Sequence, residues 1–215
     1  MSTMIICAGS APVPESGNYD SAGFDAAVLA GMESPCPPYD GRKYNPAGKS
    51  VLIGEGRPAL DTAEKLLLPC EWTVDPLLNE IPVRSFTDTD KTYAVRHWLR
   101  KAAVQRKHGD PRQPESTDAV IARTNRLIAA LSGRDAILIT YPLFLAVLLD
   151  RLRVHNYVIQ RTGISKIQPL ERFLISAKEE HCGGCQHNCF LSSPGCGIGR
   201  DKAMRRGMQY RESSE

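Results

Sequence analysis

The sequence has no long hydrophobic run and only a small excess of positive charge. Its longest apolar stretch, YPLFLAVLLDRL (141–152), contains Asp150 and Arg151 and is shorter than the roughly 20 residues that a membrane-spanning helix requires. The start, MSTMIICAGSAP, lacks the charged region and the apolar length of a signal peptide. A formal net charge of +3 is too small to indicate binding to nucleic acid or to a membrane surface. These absences predict a cytoplasmic protein that binds neither nucleic acid nor a membrane.

Cysteine is sparse except at one place. The chain has seven cysteines, and four of them lie within a short stretch near the C-terminus with the spacing C-x2-C-x3-C-x6-C. A chain of 215 residues can bury a full core without cross-links, and structural disulfides are uncommon in a reducing compartment. The cluster is therefore predicted to bind a metal, in preference to forming two disulfides or holding idle thiols. The predicted ligands are Cys182, Cys185, Cys189 and Cys196.

The spacing is compatible with either zinc or an iron–sulfur cluster. Four thiolates in a tetrahedral array suit zinc, and four thiolates also hold iron–sulfur clusters. We favour zinc, because four-thiolate zinc sites recur in small cysteine-rich appendages, and such a saturated site is structural. His181 and His187 could each replace one thiolate ligand. Cys36 and Cys70 lie apart from the cluster and are given no role.

Strand patterns alternate with helix patterns along most of the chain. Two of the strands are apolar throughout, which is typical of a parallel sheet covered on both faces. We therefore predict a three-layer α/β/α sandwich with a mostly parallel sheet over residues 1–178, a four-cysteine metal-binding knuckle over 179–199 and a flexible polar tail over 200–215. The predicted strands are 4–8, 50–53, 72–74, 135–140, 157–160 and 172–176, the last two being edge strands. The predicted helices are 22–32, 59–68, 91–107, 117–131 and 143–153.

Four motifs occur in an order that resembles the histidine phosphatase superfamily, the phosphoglycerate-mutase-like proteins. ALDTAEKLL (59–67) resembles the Thr-Ala-Glu helix of that family, and DPLLNEIP (75–82) resembles its acidic segment, with Glu80 in the place of the acid. QPES (113–116) precedes a long helix, and DAILITYPLFLAVLL (135–149) resembles the strand that leads to the second catalytic histidine. The resemblance covers most of the chain and implies a phosphoglycerate-mutase-like fold.

The residues that carry the family's chemistry are absent. The family's Arg-His-Gly, whose histidine accepts the phosphoryl group, corresponds to Cys7, Ala8 and Gly9. The second histidine corresponds to Tyr141. The arginine at the start of the Thr-Ala-Glu helix corresponds to Pro58, which is adjacent to Arg57, and the serine before it corresponds to Gly54. Of the catalytic set, Glu80 alone remains.

Phosphoryl transfer of this type needs an imidazole nucleophile, cations for the phosphate oxygens and a proton donor. Because almost all of these groups are replaced, we predict a catalytically degenerate member, a pseudophosphatase that acts in binding or regulation. Its expected partner is a protein or a small phosphorylated ligand.

Two other functions stay open at this point. The first is an enzyme with replaced chemistry, built on Cys7, Tyr141, Glu80 and Arg57, that acts on a phosphorylated substrate. A thiolate could serve as its nucleophile, although a small buried side chain is the more common state of a cysteine at a strand end. The second is an iron–sulfur redox or sensor protein that uses the same scaffold as a platform.

Overall fold

The computed structural model describes residues 3–10, 13–131, 134–161, 166–178, 191 and 196–205. The chain divides into two compact units, Met1–Ser176 and Ala177–Glu215. Each unit is considered by itself. In the described residues, none of the helices combines the length and the apolar character needed to cross a bilayer.

A six-stranded mixed sheet forms the centre of the first unit. Its strand order is β4-β3-β6-β1-β8-β7, in which β4, β3, β6 and β1 run parallel and β8 is antiparallel to β1. Two further short strands, β2 and β5, pair with each other. The strands are β1 Thr3–Cys7, β2 Asn18–Tyr19, β3 Ser50–Ile53, β4 Thr73–Val74, β5 Tyr93–Ala94, β6 Ala136–Thr140, β7 Tyr157–Arg161 and β8 Arg172–Ala177.

The described part of the chain has six α-helices and one 3₁₀ turn at Pro76–Leu78. The α/β class, the mostly parallel sheet and all five predicted helices are confirmed. The helices are α1 Ser21–Gly31, α2 Arg57–Leu66, α3 Val95–Lys107, α4 Thr117–Leu131, α5 Pro142–Val154 and α6 Gly197–Arg205.

The two central strands are buried along their whole length, which explains their uninterrupted apolar sequence. Every residue of β1 and of β6 is buried, and Ile5 lies opposite Leu138 in their parallel register. Ile5 and Leu138 pack with α4 and α5, whereas Ile6 on the opposite face of the sheet packs with α2. Helices therefore cover both faces, as the continuous apolar runs predict.

Two predicted elements are wrong in detail. Strand β8 was expected at an edge, but it lies between β1 and β7, where Phe173 and Ile175 join the main core. Helix α3 begins at Val95 instead of at Lys91, because Tyr93 and Ala94 pair with β2. In both cases a strand partner that is distant in sequence decided the outcome.

The second unit contributes one described element, α6. It lies within the segments predicted as the metal knuckle and the flexible tail, and the sequence prediction included no helix there.

Candidate functional site

Three of the predicted pocket positions, Cys7, Ala8 and Tyr141, lie at the carboxyl ends of parallel strands, which is where open α/β sheets place their ligands. Ala8 follows β1 and Tyr141 follows β6. The Ala8 amide donates to the carbonyl of Thr140 at 2.8 Å, so the two strand ends are directly joined. The structure thus brings Ala8 and Tyr141 together.

These positions do not form an open pocket. Ala8 and Tyr141 are each 0% exposed and belong to the same apolar cluster. The Tyr141 hydroxyl donates a hydrogen bond to the carbonyl of Glu55, and burial raises the pKa of this phenol. Tyr141 is therefore a buried neutral side chain whose polar atom is already used.

The Tyr141 ring packs closely against Gly54, the residue that follows β3. A Cβ atom added at Gly54 would lie 2.8 Å from the carbonyl oxygen of Leu78 and 3.1 Å from Cε2 of Tyr141. Gly54 therefore permits close packing of the ring at this place, where the resemblance puts a serine.

Cys7 is adjacent in sequence but faces the other side of the sheet. It is 1% exposed and packs in the cluster that contains α4 and α5. Burial, together with the negative charges of Glu80 and Glu171, raises the pKa of its thiol to about 12. A nucleophilic cysteine needs the opposite shift, so this environment disfavours a reactive thiolate.

Arg57 stands apart from the buried residues. Its side chain is 56% exposed, and its Nε lies 3.7 Å from Oδ2 of Asp61, one turn further along α2. The arginine is thus a surface group on its own helix.

Glu80 is the predicted site residue that borders open space. It lines a cavity of about 730 Å³, yet it is only 8% exposed. Its Oε1 accepts hydrogen bonds from the amides of Ile81 (2.9 Å) and Phe144 (2.8 Å), and its Oε2 accepts one from Leu143 (3.1 Å). Burial raises the pKa of the carboxyl group to about 7, although these backbone donors and Arg123 act in the opposite direction.

The cavity is lined by α1, by the segment 76–84, by Pro114 and Glu115 before α4, by Arg123 within α4 and by Val13. Most of its wall is apolar. A large, mostly apolar concavity with a few polar groups is the usual form of a small-molecule site. The lining residues are Val13, Asp25, Val28, Leu29, Met32, Pro76, Asn79, Glu80, Ile81, Pro82, Val83, Arg84, Pro114, Glu115 and Arg123.

A buried ion pair supports the wall beside Glu80. Arg123 forms a bidentate pair with Glu115, with Nε–Oε1 and Nη2–Oε2 distances of 2.9 and 2.8 Å. The same guanidinium donates to the carbonyls of Leu77 and Asn79, and it lies 4.2 Å from the centre of the Phe144 ring. Arg123 therefore ties α4 to the segment that carries Glu80.

Arg123 was not predicted as a site residue from the sequence, although its position on α4 gave an indication. Val120, Thr124 and Leu127 occupy the buried face of α4, and Arg123 falls on that face by helical spacing. An arginine is seldom fully buried unless it is paired. A charged residue at a core position of an amphipathic helix was thus the available indication.

Of the four predicted metal ligands, the structure describes Cys196 only. Cys182, Cys185 and Cys189 lie outside the described residues, as do His181 and His187. Cys196 precedes α6, and its sulfur accepts a hydrogen bond from the Gly199 amide at 3.4 Å. Elsewhere in the described ranges, no group of three or more Cys, His, Asp or Glu residues could hold a metal ion.

Comparisons with models of protein families, with curated proteins and with solved structures find no match to this chain. The chain is an α/β protein with a mixed six-stranded sheet, and the comparisons assign it to no family.

Proposed function

We propose that the protein is a non-catalytic binding protein that holds a small apolar organic molecule in the cavity beside Glu80. The observation that carries the proposal is a cavity of about 730 Å³ with a mostly apolar wall next to a buried, hydrogen-bonded carboxyl group. Cavities of roughly 300–1,000 Å³ suit molecules of metabolite or drug size.

We also propose that the fold derives from a histidine phosphatase, as the resemblance in sequence implies. It rests on the order of the four sequence motifs. On this view the original reaction centre is closed, because Ala8 supplies no nucleophile and Tyr141 is buried in a cluster of apolar side chains. The cavity lies beside this closed centre, at the residue that corresponds to the family's acid.

The charges at the cavity wall favour an apolar ligand over a phosphorylated one. Arg123 is held by Glu115, and Arg84 lies 3.7 Å from Asp25. A phosphate group needs cations that are available to neutralise its oxygens. Glu115 binds the Arg123 guanidinium in a buried bidentate pair, so a phosphate there would have to break that pair. Arg84 is a more exposed residue in a longer ion pair.

The test combines an activity assay with a binding assay. We expect no hydrolysis of p-nitrophenyl phosphate above the uncatalysed rate, and binding of the neutral probe 2-(1-naphthyl)ethanol in isothermal titration calorimetry. Turnover that is lost in E80Q would contradict a non-catalytic role and would favour the replaced-chemistry enzyme.

Two tryptophan variants on α1 test whether the probe binds in this cavity. Leu29 lines the cavity and is 73% exposed, so L29W adds an indole at the cavity wall with little risk to the fold. Ala30 is exposed and is not a lining residue, which makes A30W a matched control. We expect L29W to weaken probe binding and A30W to leave it unchanged. Equal binding by both variants would exclude this cavity as the site.

We further propose that Cys182, Cys185, Cys189 and Cys196 bind one zinc ion. The support is their spacing in the sequence. Zinc bound by four thiolates has no open position for water, so it would stabilise the second unit without catalysing a reaction. An iron–sulfur cluster is the alternative for the same ligands.

A further inference from the structure

The charged residues of the cavity wall differ in whether they have a partner of opposite charge. Each arginine of the wall has a carboxylate partner, Glu115 for Arg123 and Asp25 for Arg84. The third carboxylate, Glu80, has no such partner: within the described ranges, no lysine, arginine or histidine nitrogen lies within 4 Å of it.

Backbone amides alone hold the Glu80 carboxylate in place. Oε1 accepts from two amides, whereas Oε2 accepts only from Leu143, at the longer distance of 3.1 Å. A carboxylate oxygen can accept two hydrogen bonds, so Oε2 retains one acceptor position. Arg123 and Arg106 act on Glu80 through space, but neither lies within ion-pair distance.

A buried carboxylate is stable as an anion only when a cation or enough donors compensate it. The remaining compensation here can come from the cavity, which borders Glu80. An anionic ligand would add like charge beside Glu80, and a neutral apolar ligand would leave Oε2 with its single donor.

We propose that the ligand of this cavity is an apolar molecule that carries a basic amine, and that its ammonium group pairs with Oε2 of Glu80. The apolar part of such a molecule contacts the wall formed by residues such as Val28, Met32 and Val83, which line the same cavity as Glu80. This inference rests on the proposed function, because it names the chemical class of ligand for the same cavity.

The test uses three probes that share one apolar body: 2-(1-naphthyl)ethylamine, 2-(1-naphthyl)ethanol and 1-naphthylacetate. Calorimetry at pH 8 keeps the amine protonated and Glu80 largely ionised. We expect the amine to bind at least about 10-fold more tightly than the alcohol, since a hydrogen bond to a charged group contributes about 1.5–3 kcal/mol. The acetate should bind most weakly. In E80Q the amine should lose its advantage over the alcohol.

The outcomes separate the two proposals. If alcohol and amine bind equally and L29W weakens both, the cavity binds ligands but the inference about the amine is wrong. If none of the probes binds, the proposed function itself fails. An amine preference that persists in E80Q would place the cation away from Glu80 and would overturn the assignment.

E80Q removes a buried acceptor and can fail to fold, which circular dichroism would reveal. In that case the wild-type protein and N-acetyl-2-(1-naphthyl)ethylamine decide the question, because acetylation removes the charge and keeps the nitrogen. Binding of this neutral amide as tightly as the amine would overturn the inference. Loss of at least about 10-fold in affinity would support it.

Discussion

At the scale of single residues, Glu80 connects the cavity to the fold. The amides of Leu143 and Phe144 belong to the first turn of α5, where backbone donors have no partner within the helix. Tyr141, the residue before the helix, makes no side-chain cap, and its hydroxyl is bonded to Glu55. The carboxylate of Glu80 therefore caps α5 from a different segment, which gives the buried acid a structural role.

The raised pKa of Glu80 predicts how stability changes with pH. The carboxyl group titrates at about 7 when folded and near its ordinary value of 4.5 when unfolded. Between these values the folded state retains a proton that the unfolded state has lost, so the free energy of unfolding falls as pH rises from about 4.5 to 7. This loss is roughly 3 kcal/mol. It is complete only about one pH unit above the folded pKa, because half of the folded molecules still carry the proton at pH 7.

Urea unfolding of wild type and E80Q at pH 5 and pH 8 measures this effect. The free energy of unfolding of wild type should fall more than that of E80Q between the two pH values, since glutamine does not titrate. Parallel changes in the two proteins would show that Glu80 has no raised pKa in the folded state.

At the scale of elements, the start of α2 depends on one glycine. Gly56 precedes the helix with φ of 99° and ψ of 157°, a conformation that is nearly restricted to glycine. A Cβ atom at this position would lie 2.8 Å from the Tyr141 hydroxyl and 3.0 Å from Cε of Met32. Gly56 thus allows the chain to turn into α2 close to the tyrosine that fills the end of the sheet.

We expect G56A to lower the free energy of unfolding by more than the matched variant G48A. Gly48 also has a positive φ, 78°, but a Cβ there would meet nothing within 4 Å. G48A should therefore cost about 1–2 kcal/mol for the left-handed backbone alone. G56A should cost at least about 1 kcal/mol more, because its backbone conformation is nearly restricted to glycine and because the methyl group also displaces packed atoms. Thermal or urea unfolding measures both, and equal losses would contradict the close packing against Tyr141.

At the scale of the whole molecule, the first unit has a complete interior of its own. Its three apolar clusters are made of residues between Met4 and Ile175, and they cover both faces of the sheet as well as the space between α1 and α3. A domain of this size can be stable without metal or disulfides. The second unit is too short to build such a core, so a bound metal is the expected source of its stability.

Metal analysis of the anaerobically purified protein is expected to find one zinc ion per chain and no visible absorbance. Removal of the zinc by a chelator should leave the circular dichroism and the cooperative unfolding of the first unit unchanged, because its core contains none of the predicted ligands. Iron with sulfide and a brown colour would instead favour the iron–sulfur alternative. Retention of zinc in a variant with all four cysteines replaced by serine would contradict the ligand assignment.

The sequence by itself determined the class of the fold and most of its elements. The apolar runs of β1 and β6 were sufficient to predict buried parallel strands, and the period of α4 predicted its bounds, 117–131, as the structure has them. These features are local, because hydrophobic spacing reflects which side of a strand or helix is covered. The order of the motifs also identified Glu80 as a candidate site residue, although it did not indicate a cavity there.

Only the tertiary structure decided what depends on partners that are far apart in the chain. The interior position of β8, the start of α3 and the pairing of Arg123 with Glu115 each require contacts that no local pattern encodes. The cavity forms where α1, the segment 76–84 and α4 with the residues before it meet, so its volume and the buried Glu80 carboxyl group on its wall exist only after the chain has folded. Sequence patterns report the environment of each residue along an element, whereas a site is formed by the distances between elements.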